Sequence, residues 1–184
     1  MNIPSLGVFG PAALALGLCV NCSAPPDHPG DGELPPAALA AFQDHLAGIS
    51  DGALVCPDAE IEAARRVTAF INADAEPDFV LETRVLNCRE TRGRPAVAYF
   101  CGSFACAFPL LVSGEEGWQV VTLMSGNHVQ AREHYRETRL EVREIARSEP
   151  GGRAVAVREY AWRDGALIRI GEWVESSDAR LGSR

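Results

Sequence analysis

Stretches of strand length follow one another along this chain with very little between them. VTAFI (67–71), DFVLETRVL (78–86), PAVAYFCG (95–102), FPLLVS (108–113) and WQVVTLM (118–124) are apolar and rich in β-branched or aromatic residues. Ser113-Gly114-Glu115-Glu116-Gly117 is a turn between the last two. A parallel pair needs a crossover of a dozen or more residues, usually a helix, and these gaps leave no room for one. Neighbouring strands are therefore expected to pair antiparallel.

The second half carries a different signal. In RAVAVREYAW, Val155, Val157, Glu159 and Ala161 alternate with Ala156, Arg158, Tyr160 and Trp162. Arg163-Asp164-Gly165 then leads into ALIRIGEWVE, and Asp-Gly between two such runs is a hairpin turn. TRLEVREIA pairs naturally with RAVAVREYAW across SEPGG. Residues 128–147 stay open, because Ala131, Tyr135, Thr138, Val142 and Ile145 also share one helical face. The reading adopted takes strands from about residue 138 onward.

Two helices precede the strands. In PPAALAAFQDHLAGISDG (35–52), Leu39, Phe42, Leu46 and Ile49 recur at spacings of three and four, and Gly52 is a stop. His45 lies beside that stripe and is expected to be partly exposed. Asp58 is placed to cap a second short helix ending near Arg66. The fold class expected is α+β, with two short N-terminal helices followed by an antiparallel sheet of six to eight strands. No internal repeat supports a propeller or solenoid.

At 184 residues, with 47% apolar and 23% charged, the chain suits one domain with a real core. A net charge of -8 argues against a nucleic-acid footprint. The charge is uneven: thirteen acids face four arginines between Pro25 and Glu90, and nine arginines face seven acids between Val129 and Arg169. All seventeen basic residues are arginine.

LGVFGPAALALGLCV (6–20) has the length of a signal-peptide core and is too short and too broken for a membrane span. The division expected is a signal peptide over 1–24, a mobile linker over 25–34, one domain over 35–175 and a frayed tail over 176–184. Cys19 or Cys22 would carry the lipid if the leader were a lipoprotein signal. Cys56, Cys88, Cys101 and Cys106 remain, and an even number in an exported chain suggests two disulfides. Four cysteines allow three connectivities. Cys101–Cys106 with Cys56–Cys88 is favoured, because GSFA can turn at Gly102 and the longer bridge would close a loop around residues 71–80.

That segment, INADAEPDFV, is the most suggestive chemically. Asn72, Asp74 and Asp78 resemble one copy of the FG-GAP or VCBS-type loop, whose pattern is D-x-N-x-D-G-x-x-D. The resemblance implies oxygen ligands for calcium, a cation that takes six to eight oxygens. Two positions depart from the pattern: Phe70 stands for the first acid, and Ala75 for the glycine. Over about 55–175, the loop, Cys88, CGSFAC and YAWRDG together resemble small exported bacterial proteins. That wider resemblance implies an exported, disulfide-stapled fold and no known reaction.

Other candidates are weaker. CGSFAC lacks the tight C-x-x-C spacing of a redox pair, and no set of four ligands marks a zinc site. His128 and His134 are six apart and align poorly as a metal pair. Ser103 and Ser113 lack a G-x-S-x-G setting. Trp118, Trp162 and Trp173 read as core or sheet-face residues, or as a carbohydrate or partner surface if several are exposed together. The expectation is a periplasmic or secreted binding or structural domain without cofactor, acting on a small ligand or envelope protein. The alternatives are an envelope hydrolase using Asp74 and Asp78, and an inhibitor or immunity-type partner of an envelope enzyme.

Overall fold

The computed structural model describes residues 33–90, 95–147 and 153–176. The leader, most of the linker, the SEPGG turn and the tail beyond Ser176 lie outside them. Leu34, placed at the end of the linker, is buried, and its N–H donates to the Glu62 carboxylate. The described domain therefore takes in this last linker residue.

Helix α1 (Pro36–Ser50) starts on two prolines, which suit the first turn because their missing N–H groups would have no partner there. Its inward stripe is Ala38, Phe42, Leu46 and Ser50, at strict spacings of four. Leu39 is only partly buried and Ile49 is exposed, so the stripe is rotated from the expected one. The helix ends where Asp51 and Gly52 turn left-handed and the Gly52 N–H reaches the Ala47 carbonyl at 2.8 Å. After strand β1 (Leu54–Val55), helix α2 (Asp58–Ala63) begins at Asp58 itself, with Pro57 as the residue before it. Asp58 is thus a first-turn acid near the positive helix end rather than a cap. The helix stops at Ala63, and after the capping residue Ala64 the chain is strand from Arg65.

Strands β2 (Arg65–Ala69), β3 (Asp78–Leu81), β5 (Cys106–Val112) and β6 (Gln119–Gly126) form one four-stranded antiparallel sheet, in the order β2-β3-β5-β6. Strands β7 (His128–His134), β8 (Glu137–Arg147), β9 (Arg153–Arg163) and β10 (Ala166–Ser176) form a second, ordered β10-β9-β8-β7. Strand β4 (Arg89–Glu90) pairs with β1. The chain is mostly β, with its strands in two main sheets instead of one.

Three expected elements differ. The strand expected over 78–86 ends at Leu81, and Thr83–Val85 is a 3-10 turn. Thr83 is buried there and its hydroxyl donates to the Ala107 carbonyl at 2.7 Å. The strand expected over 95–102 is a single helical turn, α3 (Val97–Phe100). Ala96 and Phe100 both enter the core beneath α1 while Ala98 between them is exposed, a pattern that a helical turn produces and a strand, with its period of two, does not. Residues 128–134 are strand: Val129 opposes Val142 and Ala131 opposes Leu140, while Tyr135 and Ile145 of the helical face stand exposed.

The first sheet is the middle of three layers. Phe79, Leu81 and Leu111 face a core made with Phe42, Leu46, Ile61 and Phe100. Val80, Phe108, Leu110 and Val112 face the other way, against Val129, Leu140, Val142 and Leu167 of the second sheet. Both faces are covered, so β3 and most of β5 are continuous buried runs. The ladder from β5 to β6 changes register between Pro109 and Leu111, next to a residue that has no N–H to offer.

The chain passes between the sheets at Asn127. Its N–H and side-chain oxygen engage β8 at the Arg143 carbonyl (2.6 Å) and the Ile145 N–H (2.7 Å), and its amide donates to the Phe104 carbonyl at 2.8 Å. Before it, a Cβ on Gly126 would lie 2.4 Å from the Val142 side chain and 2.9 Å from the Arg143 carbonyl oxygen. Only glycine lets the sheets meet that closely.

The disulfides are Cys56–Cys88 and Cys101–Cys106, the pairing favoured from sequence. The first closes a separation of 32 residues containing β2 and β3. The second joins the end of α3 to the start of β5 across a turn in which the Gly102 N–H meets the Ala105 carbonyl at 2.9 Å.

Candidate functional site

The loop from Phe70 to Pro77 folds around a carboxylate supplied by the first residue of β3. Asp78 is fully buried. One of its oxygens accepts the N–H groups of Ile71 (2.7 Å) and Asn72 (3.1 Å), and the other accepts the N–H of Ser113 (3.2 Å). Burial pushes this carboxyl up to about 6, and the three N–H groups pull the other way; the Asp74 charge adds a smaller upward push.

Asn72 and Asp74 complete the loop. The Asn72 side-chain oxygen accepts the Asp74 N–H at 3.1 Å, a local turn that places Ala73 in the left-handed region at φ 64°. The residue at positive φ is thus Ala73, two before the glycine position of the resembled pattern. The Asn72 amide donates to Asp74 at 2.7 Å and to the Ser113 carbonyl at 2.8 Å. Asp74 also accepts the Glu76 N–H at 2.9 Å and the Ser113 hydroxyl at 2.6 Å. Burial works to raise the Asp74 carboxyl, but the bonds from Ser113, Glu76 and Asn72 outweigh it and hold it below its ordinary value.

The three residues expected to act together do lie together, and Ser113 binds them with its N–H, carbonyl and hydroxyl. Nothing local in the sequence marks Ser113, which is 35 residues from Asp78 and 41 from Asn72. The Asn72 oxygen and the Asp74 and Asp78 carboxylates all accept N–H or O–H groups within the loop and from Ser113. Phe70, at the first ligand position, is half-exposed. Among the described residues, no group of three or more His, Cys, Asp or Glu side chains is placed to hold a metal ion.

Two clefts flank the loop and share Asn72, Asp74 and Trp162. One, of about 510 Å³, runs from Phe70 to Glu133, Arg136 and Glu137 beside the β7–β8 turn. That turn puts Tyr135 at φ 58° and leaves it 96% exposed, an uncommon conformation for a bulky side chain. The other cleft, of about 850 Å³, is bounded by Glu76, Glu115, Trp118 and Gln119. Trp118 lies across Phe79, ring centroids 5.5 Å apart. Trp173 is elsewhere, on β10, with its indole N–H 3.4 Å from Glu175.

The cleft beside Glu137 is lined by three carboxylates, Asp74, Glu133 and Glu137. Hydrogen bonds from Arg163 and Arg139 hold Glu137 below its ordinary value, and Asp74 is held down as above. The raised carboxyl, Asp78, lines neither cleft. The described histidines do not converge: His128 is 3.2 Å from an Arg66 guanidinium nitrogen, and His134 lies against Tyr135. His45 is half-buried, and its Nε2 is buried without a partner among the described residues. Comparison with protein-family models, curated proteins and solved structures finds no match to this chain.

Proposed function

We propose that this chain is an exported, disulfide-braced binding domain, periplasmic or secreted, whose contact surface is the pair of clefts beside the 70–77 loop. The observation that carries the reading is that both clefts share Trp162 of β9 with Asn72 and Asp74, on a loop hydrogen-bonded to Ser113, the residue after β5. Concave sites with a few fixed polar groups and an aromatic wall suit small-ligand capture. The disulfides support an oxidising compartment.

The test is to express the full chain in a Gram-negative host, fractionate the cells and map the cysteines under non-reducing conditions. Recovery from periplasm or medium with both bridges oxidised supports the reading. Retention in the cytoplasm with reduced cysteines rejects it.

A hydrolase is the second reading, favoured by Asp74 sharing a cleft with Glu133 and Glu137. A chromogenic glycoside panel decides it: turnover abolished in Asp74→Asn would replace binding with catalysis.

A further inference from the structure

Cleft chemistry narrows the ligand, on the reading that the clefts are the binding surface. Trp118 and Trp162 line the larger cleft and are partly exposed. Neither indole N–H is buried or has a hydrogen-bond partner among the described residues. Two aromatic surfaces thus meet solvent, each with a free donor at its edge. The Glu76, Glu115 and Gln119 side chains likewise have no partner there. Asn72, Asp74 and Ser113 are spent on one another and serve as a fixed wall.

Among the described residues no arginine lines this cleft, so an anionic ligand would meet carboxylates without a compensating cation from them. The oxygens of Asn72 and Asp74, where a small metal ion would seat, are already engaged. What remains is flat apolar surface combined with free donors and acceptors. A pyranose ring matches both, with C–H groups on its faces and hydroxyls around its rim. Gly114, Gly117 and Gly165 keep the rim of the cleft low, which leaves room for a chain of such rings.

We propose that the cleft between Trp118 and Trp162 binds an uncharged oligosaccharide segment, stacked on Trp162 and hydrogen-bonded through Gln119, Glu76 and Glu115. The test titrates the full oxidised chain with cellotetraose, chitotetraose and maltotetraose, following tryptophan fluorescence and saturation-transfer NMR. A saturable response to at least one saccharide is expected, weakened about ten-fold or more in Trp162→Ala. Trp162→Phe should retain part of the affinity, and Trp173→Ala should retain all of it. Circular dichroism must show each variant folded. Silence from all three saccharides at millimolar concentration overturns the inference. So does a response that survives Trp162→Phe and Gln119→Ala undiminished. A tetra-lysine peptide forms a separate arm: if it alone binds, the saccharide assignment falls while the binding-domain reading stands.

Discussion

The two main sheets solve the same problem in opposite ways. The β2-β3-β5-β6 sheet is covered on both faces, and its central strands carry little charge except the enclosed Asp78. The second sheet has one covered face, and its outer face is a ladder of arginines and glutamates. Arg139 bridges Glu137 and Glu159, and Arg143 bridges Glu141 and Glu175. On the covered side, Arg158 similarly spans Glu144 and Glu172. Each of these arginines uses two or three nitrogens of one planar guanidinium, a geometry that lysine lacks. Where water is excluded a charge needs fixed backbone donors, and where water is near a carboxylate can be matched by side chains. Changes in the enclosed layer should therefore cost more than changes in the ladder.

The largest expected loss follows from opening Cys56–Cys88, which holds helix α2, β2 and β3 in one loop. Cys56→Ser with Cys88→Ser should lower stability by about 4 kcal/mol in the chain-entropy model, measured by urea unfolding. Asp78→Ala comes next. It leaves three N–H groups facing a void, a loss of about 3 kcal/mol. If that variant unfolds at the wild-type urea midpoint, the loop does not depend on its carboxylate. By contrast, Glu175→Ala on the outer ladder removes one partner of Arg143, in a pair that water reaches on both sides. The cost should be about 1 kcal/mol and shrink in high salt.

A pH titration sharpens the same contrast. The folded Asp78 carboxyl at about 6 lies above its ordinary 3.8, so between those values the native state binds the proton that the unfolded chain has released. Its contribution to stability is complete at low pH and is lost as pH rises through about 6. Glu137 and Glu141 are depressed by their arginines and act with the opposite sign, stabilising at neutral pH and weakening as pH falls into the acid range. Subtracting the Asp78→Asn stability profile from the wild-type profile should isolate a decline between about pH 4 and 6. A flat difference would show that the three N–H groups cancel the effect of burial.

The smallest effects are gains. Ala73 and Tyr135 sit at φ 64° and 58° without being glycine. Ala73→Gly and Tyr135→Gly should each stabilise by about 1 kcal/mol or less, read as a higher Tm. If Tyr135→Gly stabilises the fold but weakens ligand binding, the strained turn serves the cleft. Calcium added during the same melts should leave Tm unchanged. A rise at millimolar calcium would restore Asn72, Asp74 and Asp78 as ligands.

Several parts of this molecule were legible because their causes are local. Asp164-Gly165 has both residues at positive φ and joins β9 to β10 with Arg163 opposite Ala166, as an Asp-Gly hairpin requires. The alternation over 153–162 survives as β9, and the cysteines pair as their spacing suggested. PAVAYFCG misled because its apolar residues suit a strand as well as a helical turn, and only the pocket beneath α1 selects the turn. Residues 128–134 were ambiguous for a related reason. Their helical face was real in the sequence, but the partner strand offering Leu140 and Val142 was not adjacent until the chain folded.

The sequence alone determined antiparallel pairing, the turn chemistry and the company of Asn72, Asp74 and Asp78 in one loop, since each depends on residues only a few positions apart. Tertiary structure decided the division into two sheets at Gly126 and Asn127, the burial of Asp78 and the clasp of Ser113. It also brought Trp162 beside a loop some ninety residues away. Those outcomes depend on which surfaces exclude water from one another, and that is settled only when distant segments compete for the same core.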